Sequence, residues 1–479
     1  MCNELDKHWR DECGVFGIYL RDSSAPNEAA RDTYFGLYAL QHRGQESAGI
    51  AVASGGRIVL HKAMGLVSEV FSPEVLEGLT GTLAVGHVRY SSTGSSHAVN
   101  AQPLVFRYLK GMIALAYNGN LVNAGELYLR LANLGSVFQT TTDTEVIVNL
   151  LARYSPDNLE DALAKSMIDI KGAYALVIMT ENKLIGMRDP LGIRPLCLGR
   201  RGDSFILASE SCAFYTIGAE FVRDVAPGEI VVIDENGLRS IQPLSSKEIA
   251  HCIFEYVYLS RPDSVIDGIN VNRFRRAMGR QLAREMKVDA DIVIAVPDSG
   301  TTAALGFAEE SGIRFEEGLI KNRYIGRTFI QPSQKMRDLG VRLKLNPVEE
   351  AVRGKRVIMV DDSIVRGTTS KKIVRMLRES GAVEVHMAVA SPPTQYSCYY
   401  GIDTSARDEL IAAKMDVEGI RKFIDADSLY YLSEEGMFAA AERIRGNFCA
   451  ACFNGRYPIP VPQIGKNDRD NLGRTEGGC

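Results

Sequence analysis

The 479-residue chain changes rhythm once, after Asn236-Gly237, and that change limits its possible folds more than any other feature. Over residues 13–234, short apolar or alternating runs (GVFGIYL, GIAVAS, TLAVGHVRY, GMIALAYNG, GAYALVIMT, EIVVID) are punctuated by Gly, Asn and Asp. Such runs predict strands. Helical stretches at 32–40 and 144–153 interrupt them, so an α+β domain of packed sheets is expected. After a polar link through Ser245 and Ser246 the order becomes strand, loop, helix, strand: ADIVIAVPDSG, TTAALGFAEES closed by Gly312, KRVIMVDDS, a helix at 369–380 closed by Gly381, then VEVHMAVAS. This βαβ order predicts an α/β domain with a mostly parallel sheet. Two domains also suit the length, because single cores stop growing near about 250–300 residues. The expected division is a leader at 1–12, domains at 13–245 and 246–464, and a polar, Gly-rich, disordered tail at 465–479.

Composition excludes several functions. No uninterrupted apolar run is long enough to cross a membrane, and the first twelve residues lack the apolar core of a secretory signal. A cytoplasmic protein with no membrane partner is expected. A net charge of −4 gives no general attraction to nucleic acid. One stretch departs from this balance: Lys321, Arg323, Arg327, Lys335, Arg337, Arg342 and Lys344 stand against the single acid Asp338. It suits a polyanionic ligand or a solvated basic loop. Nine cysteines, unevenly spread and odd in number, do not form a disulfide framework, and thiols in such a chain more often serve metal or catalysis.

The first chemical constellation begins at Cys13, which opens the strand-like GVFGIYL. Three later segments carry groups suited to an amino acid: HVRYSSTG (87–94), YNGNL (117–121) and TTTDTE (140–145). Arg89 offers a planar fork for an α-carboxylate and Asp143 a counter-charge for an α-ammonium. Asn118 and the backbone N–H of Gly119 suit a tetrahedral oxyanion. Singly, each has a plainer reading: a buried thiol, a paired arginine, a hairpin turn. Together, with QHRGQESAGIA (41–51), they resemble the class II glutamine amidotransferases, whose N-terminal-nucleophile domain begins with Cys-Gly. The resemblance implies that Cys13 becomes residue one, with its own α-amino group as base. That amine titrates at about 7.7–8.0. Residues 1–12 are then a propeptide. Cys2 is the competitor, but Asn-Glu-Leu follows it rather than Gly and a strand.

The second constellation is VIMVDDSIVRGTTSKKIV (357–374), where two carboxylates end a buried strand ahead of a hydroxyl- and Gly-rich loop and a helix start. The loop and helix dipole suit a phosphate, and Asp361 and Asp362 suit ribose hydroxyls or Mg²⁺. An acidic pair in another Mg²⁺-dependent α/β protein, such as a receiver domain, is the alternative. The run resembles the phosphoribosyl pyrophosphate (PRPP) signature of type I phosphoribosyltransferases, with RGTT where many members have TGGT. By that resemblance Ser363, Gly367, Thr368 and Thr369 take the 5′-phosphate. Ser299, in VPDSGTTAA (296–304), adds an oxygen to Mg²⁺, and Lys321, Arg323 and Arg327 belong to a loop that closes over PRPP.

The third constellation is the C-x-x-C pair Cys449 and Cys452, with Cys252 and Cys398 far upstream. A redox disulfide, a four-thiolate zinc site and an iron–sulfur site all fit these residues. From Cys13 to Pro458, both halves together resemble the glutamine PRPP amidotransferases of purine synthesis, including the SRPDS run at 260–264. One branch of that family holds a 4Fe-4S cluster on four such cysteines, one per subunit, and is made with a propeptide. The resemblance implies 5-phosphoribosylamine as product, PRPP and glutamine as substrates, purine nucleotides as feedback inhibitors, and a homo-oligomer, specifically a homotetramer. An ammonia-delivering synthase of another kind lacks the PRPP loop. A PRPP-sensing DNA-binding regulator would not need a full glutaminase half.

Overall fold

The computed structural model describes residues 13–90, 98–108, 110–154, 158–244, 248–322, 344–402, 407–441 and 448–461. The expected leader, the tail, Ser245 and Ser246 lie outside these residues, as do Arg323, Arg327, Lys335, Arg337, Asp338 and Arg342.

The first half is built on two antiparallel sheets. One is seven-stranded, in the order Glu220–Asp224, Cys197–Arg201, Ser204–Ala208, Gly14–Tyr19, Leu83–Arg89, Ser47–Ser54, Arg57–Met64. The other is six-stranded: Gly237–Ile241, Ile230–Asp234, Leu184–Arg188, Gly172–Met179, Gly111–Leu121, Leu104–Tyr108. Their facing sides share a core of Val15, Val85, Ala116, Val177 and Val231. The outer side of the first sheet is covered by helix Glu28–Ala39, and that of the second by Asp143–Tyr154 and Leu159–Asp169. Central strands are therefore apolar on both faces, and Gly172–Met179 is buried at every residue. At Gly17 the sheets come so close that a Cβ would lie 2.6 Å from Val177 Cγ1. Helices Ala124–Asn133 and Leu159–Asp169, not anticipated from the sequence, complete the layer over the second sheet. The buried positions Leu159, Ala162, Leu163, Ser166 and Met167 carry a helical period, so the signal was present in the sequence.

The second half carries a four-stranded parallel sheet, ordered Ile292–Ala295, Arg356–Asp361, Glu384–Val389, Ser428–Tyr431. Alternation sends Ile292, Ile294, Val357 and Met359 to one face, against Ile373, Leu377 and Ile420. The opposite parity, Val293, Ala295, Ile358 and Val360, meets Phe274, Met278 and Phe307. Helix Thr301–Ser311 ends at Gly312 with φ 71°, a left-handed cap that glycine adopts without steric cost. The second helix runs over Thr368–Glu379, one residue ahead of the expectation.

The halves share a core, since Val122, Ala173 and Ile193 join the cluster containing Phe274 and Cys398. A buried ion network also spans them. Arg43 donates from Nη1 to Glu210 Oε1 at 2.5 Å and from Nη2 to Glu255 Oε1 at 2.7 Å, and Ser264 Oγ donates to Glu210 Oε2 at 2.6 Å. Burial pushes the Glu210 carboxyl up, but His42 and Arg43 outweigh it and hold the group well below the usual range. Removing one partner would strand a buried charge, so the network fixes how the halves meet.

Candidate active sites

Cys13 immediately precedes strand Gly14–Tyr19, whose pairing of Gly14 with Val88 sets the cysteine beside the Arg89 end of the neighbouring strand. Its Sγ donates to Tyr90 O at 3.5 Å, and Arg43 Nε donates to Cys13 O at 3.3 Å. Arg89 is buried, and burial together with the Arg89 charge pushes the nearby Lys62 ammonium down to about 8. Two cations in one low-dielectric wall favour an anionic ligand such as a carboxylate.

Asn118 and Gly119 come from strand Gly111–Leu121 of the other sheet. Asn118 Nδ2 is buried with no hydrogen-bond partner among the described residues. Buried amide donors are rarely left so, and a ligand oxygen would satisfy this one. Gly119 has φ 148°, and a Cβ on it would meet Ala173 O at 2.0 Å, so the position excludes any side chain. Asp143 opens its helix with one carboxylate oxygen held by Tyr117 OH at 2.8 Å and Leu121 N at 3.0 Å.

His87 ties the two sheets together. Its Nε2 lies 3.0 Å from Tyr117 O, and burial pushes the ring down to about 3, so it is neutral and donates from Nε2 to that carbonyl. The next residue is Asn118. His87, Tyr117, Arg43 and Asn120 are structural members of the site that sequence reasoning missed. They lie inside the quoted motifs, but nothing in their type or spacing states what each bonds.

In the second half, Ala295 pairs with Val360 in parallel, so the loops after both strands emerge side by side at their carboxyl ends. Ligands of open α/β sheets bind there. Ser299 Oγ donates to Asp362 Oδ2, Ser363 Oγ to Asp362 Oδ1, and Asp362 N to Asp361 Oδ1 at 2.9 Å. Burial, then the adjacent Asp362 charge, push the Asp361 carboxyl well above the usual range. Neither aspartate has an ion-pair partner among the described residues. No group of three His, Cys, Asp or Glu among the described residues is placed to hold an ion. An ion here would rest on this pair, the Ser299 hydroxyl and ligand oxygens, a donor set that fits Mg²⁺. Gly367, with φ 74°, precedes helix Thr368–Glu379 and turns the loop amides toward the same end. Lys321 Nζ donates to Asp298 Oδ2 at 2.5 Å, which places its charge beside the Ser299 loop.

Cys252, Cys398, Cys449 and Cys452 line one small cavity with Ile193, Tyr400 and Tyr457. Cys252 pairs with Cys449 in a short parallel bridge. Cys449 and Cys452 form no disulfide with each other. Burial pushes Cys449 up to about 12 and Cys452 well above its ordinary value. Tyr400 N donates to Cys398 Sγ at 3.3 Å, a contact that would stabilise a thiolate. A tetrahedral zinc, with Zn–S about 2.3 Å, needs its sulfurs gathered around one point. Here the four sulfurs line one cavity, a donor set that zinc and an iron–sulfur cluster both accept. Cys197 and Cys212 are buried elsewhere, in the first half.

Residues 87–216 match the model of a glutamine amidotransferase domain, and residues 275–404 that of a phosphoribosyl transferase domain. A Synechocystis protein named amidophosphoribosyltransferase is 54% identical over 460 residues, covering 94% of this chain and 92% of its own. The chain belongs to the amidophosphoribosyltransferases. Amidophosphoribosyltransferases of Bacillus subtilis (50% identical; 95% of this chain, 96% of that one) and Archaeoglobus fulgidus (51%; 94% and 98%) match over similar spans. The solved structure of the B. subtilis glutamine PRPP amidotransferase, complexed with ADP and GMP, superposes with a TM-score of 0.89 at 50% identity, covering 95% of this chain and 99% of that one. The two-domain architecture of an amidophosphoribosyltransferase, expected from the change of rhythm, is the architecture found. Among the described residues, no helix is long and apolar enough to cross a membrane.

Proposed function

We propose that this amidophosphoribosyltransferase frees ammonia from glutamine at Cys13 and delivers it to carbon 1 of PRPP, giving 5-phosphoribosylamine, glutamate and pyrophosphate. The observation that carries the glutaminase half is the buried, unpartnered Asn118 Nδ2 beside Gly119. Removal of residues 1–12 frees the Cys13 α-amine, which takes the thiol proton as sulfur attacks the amide carbon. Asn118 and the Gly119 N–H hold the oxyanion, Arg89 the α-carboxylate and Asp143 the α-ammonium. Collapse returns the proton to the leaving ammonia, and water then hydrolyses the thioester to glutamate. Asn118→Ala is expected to lower glutamine-dependent turnover by about 10²-fold, the scale of one lost oxyanion donor. Ammonia-dependent turnover should persist, and steady-state assays with each nitrogen donor check both.

At the second site Asp361 and Asp362 orient the ribose and hold Mg²⁺ with Ser299. Ser363, Gly367, Thr368 and Thr369 receive the 5′-phosphate. The ion's positive charge, when bound, stabilises the departing pyrophosphate. Lys321 completes this end, with Arg323 and Arg327 assigned by family resemblance. Asp361→Asn or Asp362→Asn should abolish phosphoribosyl transfer from either nitrogen donor in a folded protein. Calorimetry checks this, and unchanged Mg²⁺-PRPP affinity in both variants refutes the assignment. The nucleotides on the B. subtilis relative support purine nucleotide feedback here. A cytoplasmic homotetramer with one 4Fe-4S cluster per subunit, held by Cys252, Cys398, Cys449 and Cys452, completes the proposal.

A further inference from the structure

We infer that residues 399–401 of the second half clamp the oxyanion strand of the first, with Asn120 and Gly401 as positioning residues for glutamine cleavage. Asn120 Nδ2 donates to Tyr399 O at 2.7 Å across the junction. Gly401, with φ 113°, lies directly on the strand: a Cβ there would sit 2.9 Å from the Gly119 carbonyl carbon and 3.0 Å from its Cα. Between them, Tyr400 O accepts from Arg194 Nε at 2.9 Å and Nη2 at 2.5 Å, and Arg194 is itself fully buried and braced by Glu255. Tyr400 OH donates to Ile459 O at 2.6 Å. Tyr399 and Tyr400 are thus held from separate directions, and Gly401 after them packs on Gly119. Gly119 is also closed in by the neighbouring strand, whose Ala173 O would lie 2.0 Å from a Cβ there.

The peptide planes of residues 118–120 set where the Asn118 amide and the Gly119 N–H point. Oxyanion donors act over a narrow span of about 2.7–3.1 Å, so a small drift of this strand weakens both. The first half holds this strand by its pairing with Gly172–Met179, and residues 399–401 of the second half add contacts at Gly119 and Asn120. This inference rests on the oxyanion role proposed for Asn118 and Gly119.

The test compares Asn120→Ala, Asn120→Asp, Gly401→Ala and Cys13→Ala in the full-length processed enzyme. Asn120→Asp keeps the shape and loses the donor, so it serves if either alanine variant folds poorly. Measured are kcat and KM for glutamine, the ammonia-dependent rate, and affinities for glutamate and for glutamate γ-semialdehyde, whose thiol adduct mimics the tetrahedral intermediate. The expected result is a fall in glutamine kcat of about 10-fold, a fraction of the 10²–10³-fold loss of a whole donor. Semialdehyde affinity should fall in step, with KM, glutamate affinity and the ammonia rate held. A glutamine kcat within about twofold of the parent, with Cys13→Ala inactive on glutamine, overturns the clamp alone. Parallel loss of glutamine and ammonia rates also overturns it, because it reports a general structural role. Glutamine turnover surviving in Cys13→Ala overturns the glutaminase assignment itself.

Discussion

Cys13→Ala is expected to abolish glutamine-dependent formation of 5-phosphoribosylamine and to leave the ammonia-dependent reaction at the parent rate. Without the thiol the proposed acyl-enzyme cannot form. Loss of a nucleophile costs more than about 10³-fold in comparable enzymes. External ammonia bypasses that step, since the carboxylates and phosphate loop of the second site lie in the other half of the chain. The exchange of one side chain at the start of strand Gly14–Tyr19 should leave both cores intact. Parallel assays with glutamine and with ammonium at elevated pH, on protein whose unfolding transition matches the parent, decide the matter. Equal loss of both activities in a folded variant would count against two separate sites. The unprocessed chain should behave like the variant, because its Cys13 nitrogen is then an amide and cannot act as base. Intact mass before and after activation reads that directly.

The second large effect is expected at the cysteine cavity. Any one of Cys252→Ser, Cys398→Ser, Cys449→Ser or Cys452→Ser should give an insoluble or protease-sensitive product, while Cys197→Ser and Cys212→Ser should be mild. The four proposed ligands come from a strand near residue 252, the loop at 398 and the C-terminal strand and helix at 449 and 452. Joining them ties the ends of the second half to its middle, and to Ile193 of the first half at the cavity wall. Metal-binding free energy then becomes folding free energy. Proton release accompanies loading, since burial holds Cys449 and Cys452 protonated without metal; acid should therefore weaken the cluster. Anaerobic purification, with iron, sulfide and zinc assayed before and after exposure to air, and with limited proteolysis alongside, tests this. Stoichiometric zinc, or iron-free protein of full activity, would sink the assignment.

The parts of this protein legible in its sequence are those set by local chemistry. Strand and helix periods, the helix ends at Gly312 and Gly381, and the order of motifs follow from neighbours a few residues apart, which a linear reading contains. The same holds for Asp361 and Asp362 at a strand end and for the candidacy of Cys13. Tertiary structure alone decided what those residues meet. Cys252 and Cys449 are adjacent across 197 positions of chain, and no spacing rule pairs them. Arg43 reads as one basic residue of a motif; only folding buries it between Glu210 and Glu255 from two halves. Asn118-Gly119 reads as a hairpin turn, yet it lies within a strand, because pairing with the neighbouring strand Gly172–Met179 overrides turn propensity. Contacts between distant segments depend on how whole sheets pack, and the sequence carries that only as the sum of many weak preferences.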